Sequence, residues 1–385
     1  MRIAIACHSG LGGSGALAVE LARSLAHKGH EVHVISDGVP FRFVRPHERM
    51  FLHVVELPHH HVFRYPPFEM ALAGTMAELM KKYFFDILHV HYVVPFAISA
   101  YLARQMVPEH PVPVVTTLHG TDITQLSREK ALFAPIRLGL EKSDAVTAVS
   151  ASLAEEAMRI FSLKKDITVI HNYVDVSRYI RQEVTELRRQ YADPDEPLLM
   201  HISNFRPVKR VPDVVRVFAG VRRRRRAKLA LVGEGPGVPE IRALVRELGL
   251  EEDVHFLGKQ SDVETVLSMA DVLLLPSEQE GFGLVAVEAM ACETPVVASR
   301  AGGLPEVVVH GETGFLAEVG DVSAMADYVN RLLDDPALHR DFAAKGRDRV
   351  ERYFSCTHQV QRYEELYRQI LDAQGADVTD AEQAG

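Results

Sequence analysis

Residues 271–290 read DVLLLPSEQEGFGLVAVEAM. DVLLL is a short apolar run bounded by turn residues, which suits a strand buried on both faces, and GLVAVEAMAC reads as a helix. A loop with two glycines, Gly281 and Gly283, therefore joins a strand end to a helix start. In open α/β sheets ligands sit at that junction, because the first N–H groups of the helix lack partners and its dipole favours negative charge. Two acids, Glu280 and Glu288, bracket the turn. On a helical count their carboxylates share one side of the segment roughly 10 Å apart, a separation that suits two ends of an extended ligand and not one reacting atom. Dipole compensation is the bland explanation for either acid alone.

The rest of the chain repeats this strand, turn, helix pattern. Arg2–Cys7 reads as a buried strand, Gly15–Lys28 as an amphipathic helix closed by Gly29, and Glu31–Ser36 as the next strand. Further strands are expected at 52–56, 86–90, 112–117, 145–149 and 167–170. After the polar, Pro-bearing stretch 172–197, expected to be a domain linker, the alternation restarts with strands at 198–202, 228–232, 254–256, 271–275 and 295–298. Helices are expected at 322–334, 336–353 and 357–373, with a frayed tail over 375–385. Alternating strands and helices imply parallel sheets covered on both faces. The expected fold class is α/β: two Rossmann-like domains, 1–171 and 172–353, and a C-terminal helix, 354–373, that returns to the first domain.

Composition sets the outer bounds. The 385 residues are enough for two cores, and 47% hydrophobic with 25% charged residues is ordinary for a soluble globular protein. No apolar run is long enough to span a membrane. The net charge of −9 argues against a nucleic-acid partner, and the basic run Arg222–Arg226 reads as the solvated end of a helix. Three cysteines, Cys7, Cys292 and Cys356, without CxxC spacing fit buried thiols in a reducing, cytoplasmic compartment. His89 and His91 alternate on a strand but lack a matching ligand set, so no metal is expected. His59-His60-His61 reads as an exposed loop, and Asp193-Pro194-Asp195 as turn chemistry.

Glu280, Gly281, Phe282, Gly283 and Glu288 resemble the Glu, seven residues, Glu signature of retaining family 4 glycosyltransferases, whose two-domain GT-B fold faces two Rossmann-like halves across a cleft. The resemblance implies that Glu280 lies beside the donor sugar, that Glu288 holds the nucleotide ribose, and that Phe282, Gly283 and Leu284 shape the donor turn. It also places Lys209, with an Arg, after the first strand of the second domain to neutralise the donor diphosphate. This chain has Asn204 where most members carry that Arg, and Arg206 is expected to substitute. Leu231–Pro236 and Gly302–Glu306 match further turns of the family, Phe256–Gln260 the segment that holds uracil, and His119 a histidine that orients the donor ring. Glu293 stands where the family usually has Gly, a strained choice if the backbone there needs φ > 0.

Longer segments, GGSG at Gly12–Gly15, YPPFEMALA at Tyr65–Ala73, DILHVHYVVPFA at Asp86–Ala97, TTLHGTDIT at Thr116–Thr124, IRLGLEKSDAVTAVS at Ile136–Ser150 and SNFRPVKRVPDVVRVF at Ser203–Phe218, resemble a branch of the family that moves N-acetylglucosamine from UDP-GlcNAc to L-malate at the start of bacillithiol biosynthesis. That resemblance implies UDP-GlcNAc as co-substrate and no cofactor or metal. Gly13 is expected at the donor; a dianion such as malate needs cations and hydroxyls, and Ser14, Tyr92, Thr116 and Arg137 are of that type on segments near strand ends, so they are expected at the acceptor, and a homo-oligomer stays open. Two other readings remain: a family 4 transferase with a different small acceptor, and an NAD-dependent oxidoreductase. The second rests on Gly10-Leu11-Gly12-Gly13-Ser14-Gly15, which fits GxGxxG after a strand, with Asp37 placed for a ribose. A sugar-nucleotide binder without turnover and a UDP-GlcNAc 2-epimerase are further rivals.

Overall fold

The computed structural model describes residues 1–10, 13–40, 42–44, 46–58, 61–62 and 64–383, the side chains of 375–383 aside. Leu11 and Gly12 of the glycine loop and His59 and His60 lie outside the described residues. The chain divides into two compact units, Met1–Asn172 with Thr357–Gly385, and Tyr173–Cys356.

The first unit is built on a seven-stranded parallel sheet. Its strands are β1 (Arg2–Cys7), β2 (Glu31–Ser36), β3 (Met50–Val54), β4 (Ile87–His91), β5 (Val114–Leu118), β6 (Ala145–Ala148) and β7 (Ile167–Val169), in the order β3-β2-β1-β4-β5-β6-β7. β1 and β4 to β6 are almost wholly buried, which is why they read as apolar runs without alternation. The direction of strand succession reverses between β1 and β4, so the loops that follow these two strands diverge and leave room for a ligand. The long helix Cys356–Gln383 belongs to this unit. Glu364 on that helix takes Lys28 Nζ at 2.6 Å and His30 Nε2 at 2.9 Å, and the Tyr367 hydroxyl lies 2.6 Å from His89 Nδ1. The backbone stays helical through Gly375 to Gln383, past the expected end at Ala373; a lone glycine weakens a helix by only about 1 kcal/mol.

The second unit holds six parallel strands: β8 (Leu198–Ile202), β9 (Lys228–Val232), β10 (Val254–Gly258), β11 (Val272–Leu275), β12 (Val296–Ser299) and β13 (Gly314–Ala317), in the order β10-β9-β8-β11-β12-β13. Its reversal falls between β8 and β11. The core gathers Leu199, Phe218, Leu229, Leu274, Phe315 and Phe342 under the helices Val211–Arg222 and Val322–Asp334. Strand β13 was missed in the sequence because Gly-Phe-Leu-Ala is too short to show a period.

The stretch 172–197 is no free linker. Tyr179 is buried, Arg178 pairs with Glu264 at 2.7 Å, and Arg188 pairs with Asp271 at 2.9 Å, so its polar residues serve as anchors on the second unit. The basic run is spent on carboxylates: Arg222 on Asp253, Arg225 on Asp334, and Arg226 on Asp193 and Glu196.

Candidate active site

In the second unit the loops after β8 and β11 are joined at the reversal point. Glu278 N–H donates to Val208 O at 2.8 Å, and Lys209 Nζ donates to Glu280 Oε2 at 2.6 Å. Ser277 Oγ donates to the same carboxylate oxygen at 3.2 Å. Lys209 ends the short turn Pro207–Lys209, and His201 on β8 braces that loop from below. The His201 ring bridges Leu274 O and Ser203 Oγ, each at 2.8 Å, and burial pushes its pKa down to about 4, so the ring is neutral. A neutral imidazole with one nitrogen on a carbonyl must carry its proton there, which leaves the other to accept from Ser203.

Glu280 lies ahead of the helix Leu284–Ala291 and not on it. The helical count that spaced Glu280 and Glu288 along one face therefore does not apply, because Gly283 at φ 100 turns the chain between them. The turn is packed backbone to backbone. Gly303 N–H donates to Glu280 O at 3.0 Å, and a Cβ on Gly302 would fall 1.9 Å from that oxygen, so Gly302 admits no side chain. The same logic explains Gly233 and Gly235, where a Cβ would meet the carbonyl oxygens of Ser203 and Asn204 at 1.8 and 1.9 Å. Glu288, buried on the helix, accepts from the Tyr179 hydroxyl at 2.8 Å. Phe282 is buried edge-on against Phe354 at 5.5 Å, which fixes the turn from inside.

In the first unit three rings gather at the ends of β1, β4 and β5. Tyr92 lies 5.8 Å from His8 and 5.2 Å from His119, centroid to centroid. Tyr92 holds φ 82, an unusual backbone for a residue with a side chain, while its N–H donates to Thr117 O at 3.0 Å. Burial pushes the His119 pKa down to about 3, and His119 Nε2 lies 2.9 Å from His91 Nδ1. Asp122 is enclosed: its Oδ1 accepts from Gly120 N–H at 3.0 Å and burial raises its pKa to about 6. Gly13 and Ser14 open the helix Gly13–His27, and a Cβ on Gly15 would sit 2.5 Å from His8 O, so Gly15 serves close packing of helix on strand.

Two expected acceptor residues are engaged with other partners. The Thr116 hydroxyl is buried and bonded to Ser143 Oγ at 2.7 Å, because Thr116 and Thr117 face opposite sides of β5. Arg137 is exposed on the helix Lys130–Lys142 and paired with Glu141 at 2.8 Å. Asp37, the expected ribose acid of the oxidoreductase reading, accepts from Ser9 N–H at 2.7 Å and so ties down the loop's own backbone. Sequence reasoning missed Tyr179, hidden in the supposed linker, and His91 and Asp122, whose roles depend on what they face.

Two parallel α/β units, with an ion-paired turn at the reversal point of the second, fit the two-domain glycosyltransferase fold. The glycosyl transferases group 1 model matches residues 183–349 and the glycosyltransferase family 4 model residues 11–178. The chain belongs to the family 4 glycosyltransferases, and it is an enzyme of that class. It is 46% identical over 372 residues to the N-acetyl-alpha-D-glucosaminyl L-malate synthase of Bacillus anthracis, covering 96% of this chain and 97% of that one. Among solved structures it resembles the sucrose-phosphate synthase of Thermosynechococcus elongatus, with TM-score 0.81, 25% identity and coverage of 97% and 100%. Anabaena HepE in complex with UDP-glucose shares the fold, with TM-score 0.82, 22% identity and coverage of 96% and 100%. Among the described residues no helix is long and apolar enough to cross a membrane.

Proposed function

We propose that the chain transfers N-acetylglucosamine from UDP-GlcNAc to the hydroxyl of L-malate, with the anomeric configuration retained, as the first step of bacillithiol biosynthesis in the cytoplasm. The observation that carries this reading is the 46% identity to an N-acetyl-alpha-D-glucosaminyl L-malate synthase across nearly the whole of both chains. Buried Cys7 and Cys292, whose thiols burial pushes up to about 12, are in keeping with a reducing compartment.

The roles follow from the chemistry of the reaction. The bond from C1 of the sugar to the diphosphate breaks, the malate hydroxyl oxygen bonds to C1 on the same face, and its proton passes to the departing phosphate oxygen. Lys209 and Arg206 neutralise the charge that develops on UDP, which takes the place of a metal ion. Glu280 holds the sugar and its electrostatics; it is not a nucleophile, since a double displacement needs a carboxylate on the opposite sugar face. Glu288 grips the ribose, with Phe282, Gly283 and Leu284 shaping the turn. His119 orients the sugar ring, Gly13 offers backbone N–H, and Ser14 and Tyr92 face malate. Arg137 joins them only by exchanging Glu141 for a malate carboxylate, and Thr116 is left out.

The test is incubation with UDP-GlcNAc, with and without L-malate, in the presence of EDTA. UDP release that requires malate supports the reading. An isomerised sugar nucleotide without malate indicates an epimerase, no product indicates a binder, and release with a different hydroxy acid only indicates another acceptor.

A further inference from the structure

Between the two nitrogens of a neutral imidazole, the partner of one decides what the other presents. His91 is buried on β4, its ring stacked on His89 at 4.6 Å between centroids, and its Nδ1 lies 2.9 Å from His119 Nε2. Its Nε2 is enclosed and has no hydrogen-bond partner. His119 is partly accessible.

Only two neutral arrangements satisfy the contact. In one, His119 Nε2–H donates to His91 Nδ1, and His91 must carry its own proton on Nε2, where nothing accepts it. In the other, His91 Nδ1–H donates to His119 Nε2, the enclosed His91 Nε2 is a bare lone pair, and His119, a partly accessible residue, carries its proton on Nδ1. Orphaned N–H groups are the rarer defect in protein interiors. Both rings are kept neutral by burial, which lowers the basicity of each.

We propose that His91 is a positioning residue that fixes the tautomer of His119, so that His119 presents an Nδ1–H donor, and never a lone pair, to the oxygen of a bound sugar. This rests on the role given above to His119. The stacked His89, held by the Tyr367 hydroxyl and Thr117 Oγ1, each at 2.6 Å, keeps the His91 plane fixed. The ligand atom that His119 meets is therefore an acceptor, such as a sugar hydroxyl or carbonyl oxygen.

The experiment pairs nitrogen NMR of ring-labelled histidine in the full chain with kinetics of two variants. His119 in the unsubstituted protein should show a protonated Nδ1 and a bare Nε2, and an Nε2–H there overturns the proposal. His91→Asn keeps an N–H donor where Nδ1 stood and should retain the tautomer and kcat within a few-fold. His91→Leu removes the donor and should lower kcat about tenfold or more, the worth of one misdirected hydrogen bond. Unchanged tautomer and rate in a folded His91→Leu also overturn it. The NMR readout needs no substrate, so absence of malate-dependent UDP release in the parent protein counts against the proposed function and leaves this test intact.

Discussion

Lys209 Nζ and Glu280 Oε2 stand 2.6 Å apart, so the cation proposed for the diphosphate and the carboxylate proposed for the sugar neutralise each other. Both are largely shielded, with side chains 22% and 16% exposed, which makes the pair more than a surface ion pair. On the proposed roles, donor binding would exchange one anion for another at Lys209. Replacing Lys209 by Met should weaken UDP by about 10- to 100-fold, the range of a charge-assisted hydrogen bond, with Lys209→Arg partly restoring it. Titration calorimetry with UDP measures this, and an unchanged Kd for Lys209→Met would remove Lys209 from the donor site.

Glu280 and Glu288 should separate by readout. Glu280→Gln keeps the bonding shape at Ser277 but loses the charge, so transfer should fall by two orders of magnitude or more while UDP still binds. Glu288→Ala should chiefly weaken UDP. Because Glu288 also holds the Tyr179 hydroxyl, Tyr179→Phe should reproduce part of that loss, about tenfold or less. Equal loss of UDP affinity in the two glutamate variants contradicts this division.

Glu293 sits at φ 57, just past the helix Leu284–Ala291, with its N–H on Met290 O at 3.1 Å. A side chain in the left-handed region costs about 1 kcal/mol, and glycine there restores a relaxed helix end, less its greater unfolded-state entropy. Glu293→Gly should therefore raise the denaturation midpoint by an amount equal to about 0.5–1 kcal/mol. A lower midpoint would mean that the Glu293 side chain contributes more than its backbone strain costs.

Both sheets were legible because buried parallel strands spell out as apolar runs, and because DVLLL followed by PSEQEGFG announces a strand end, a turn and a helix in one line. What stayed hidden depended on partners distant in sequence. Tyr179 is ordinary in a polar stretch until Glu288, 109 residues away, is placed against it. Arg137 has the charge that malate needs, yet one turn further along the helix Glu141 already takes it. Glu293 was the reverse case: the family resemblance marked it as a departure from Gly, and the backbone angle of φ 57 supplies the reason. His91 looked like half of a metal motif, and only the position of His119 shows why an imidazole stands there.

Acid should destabilise both units, and one carboxyl group should oppose the trend in the first. His89 and His201 are fully buried, with pKa values pushed down by burial from 6.5 to about 3 and about 4. Between those values and 6.5 the unfolded chain binds more protons than the folded one, so their stabilising effect is complete above pH 6.5 and is lost as pH falls. At pH 5 each such ring costs about 2 kcal/mol. Asp122 behaves oppositely: burial raises its pKa from 3.8 to about 6, so the folded state holds the extra proton and the penalty of ionising it appears as pH rises through that window. Asp122→Asn keeps an oxygen for Gly120 N–H and cannot ionise. It should be more stable than the parent at pH 8, by at most about 3 kcal/mol, and most of the advantage should be gone by pH 4. Thermal midpoints of both proteins from pH 8 to pH 4 decide the matter: a constant difference between the two curves would show that Asp122 does not titrate in the fold.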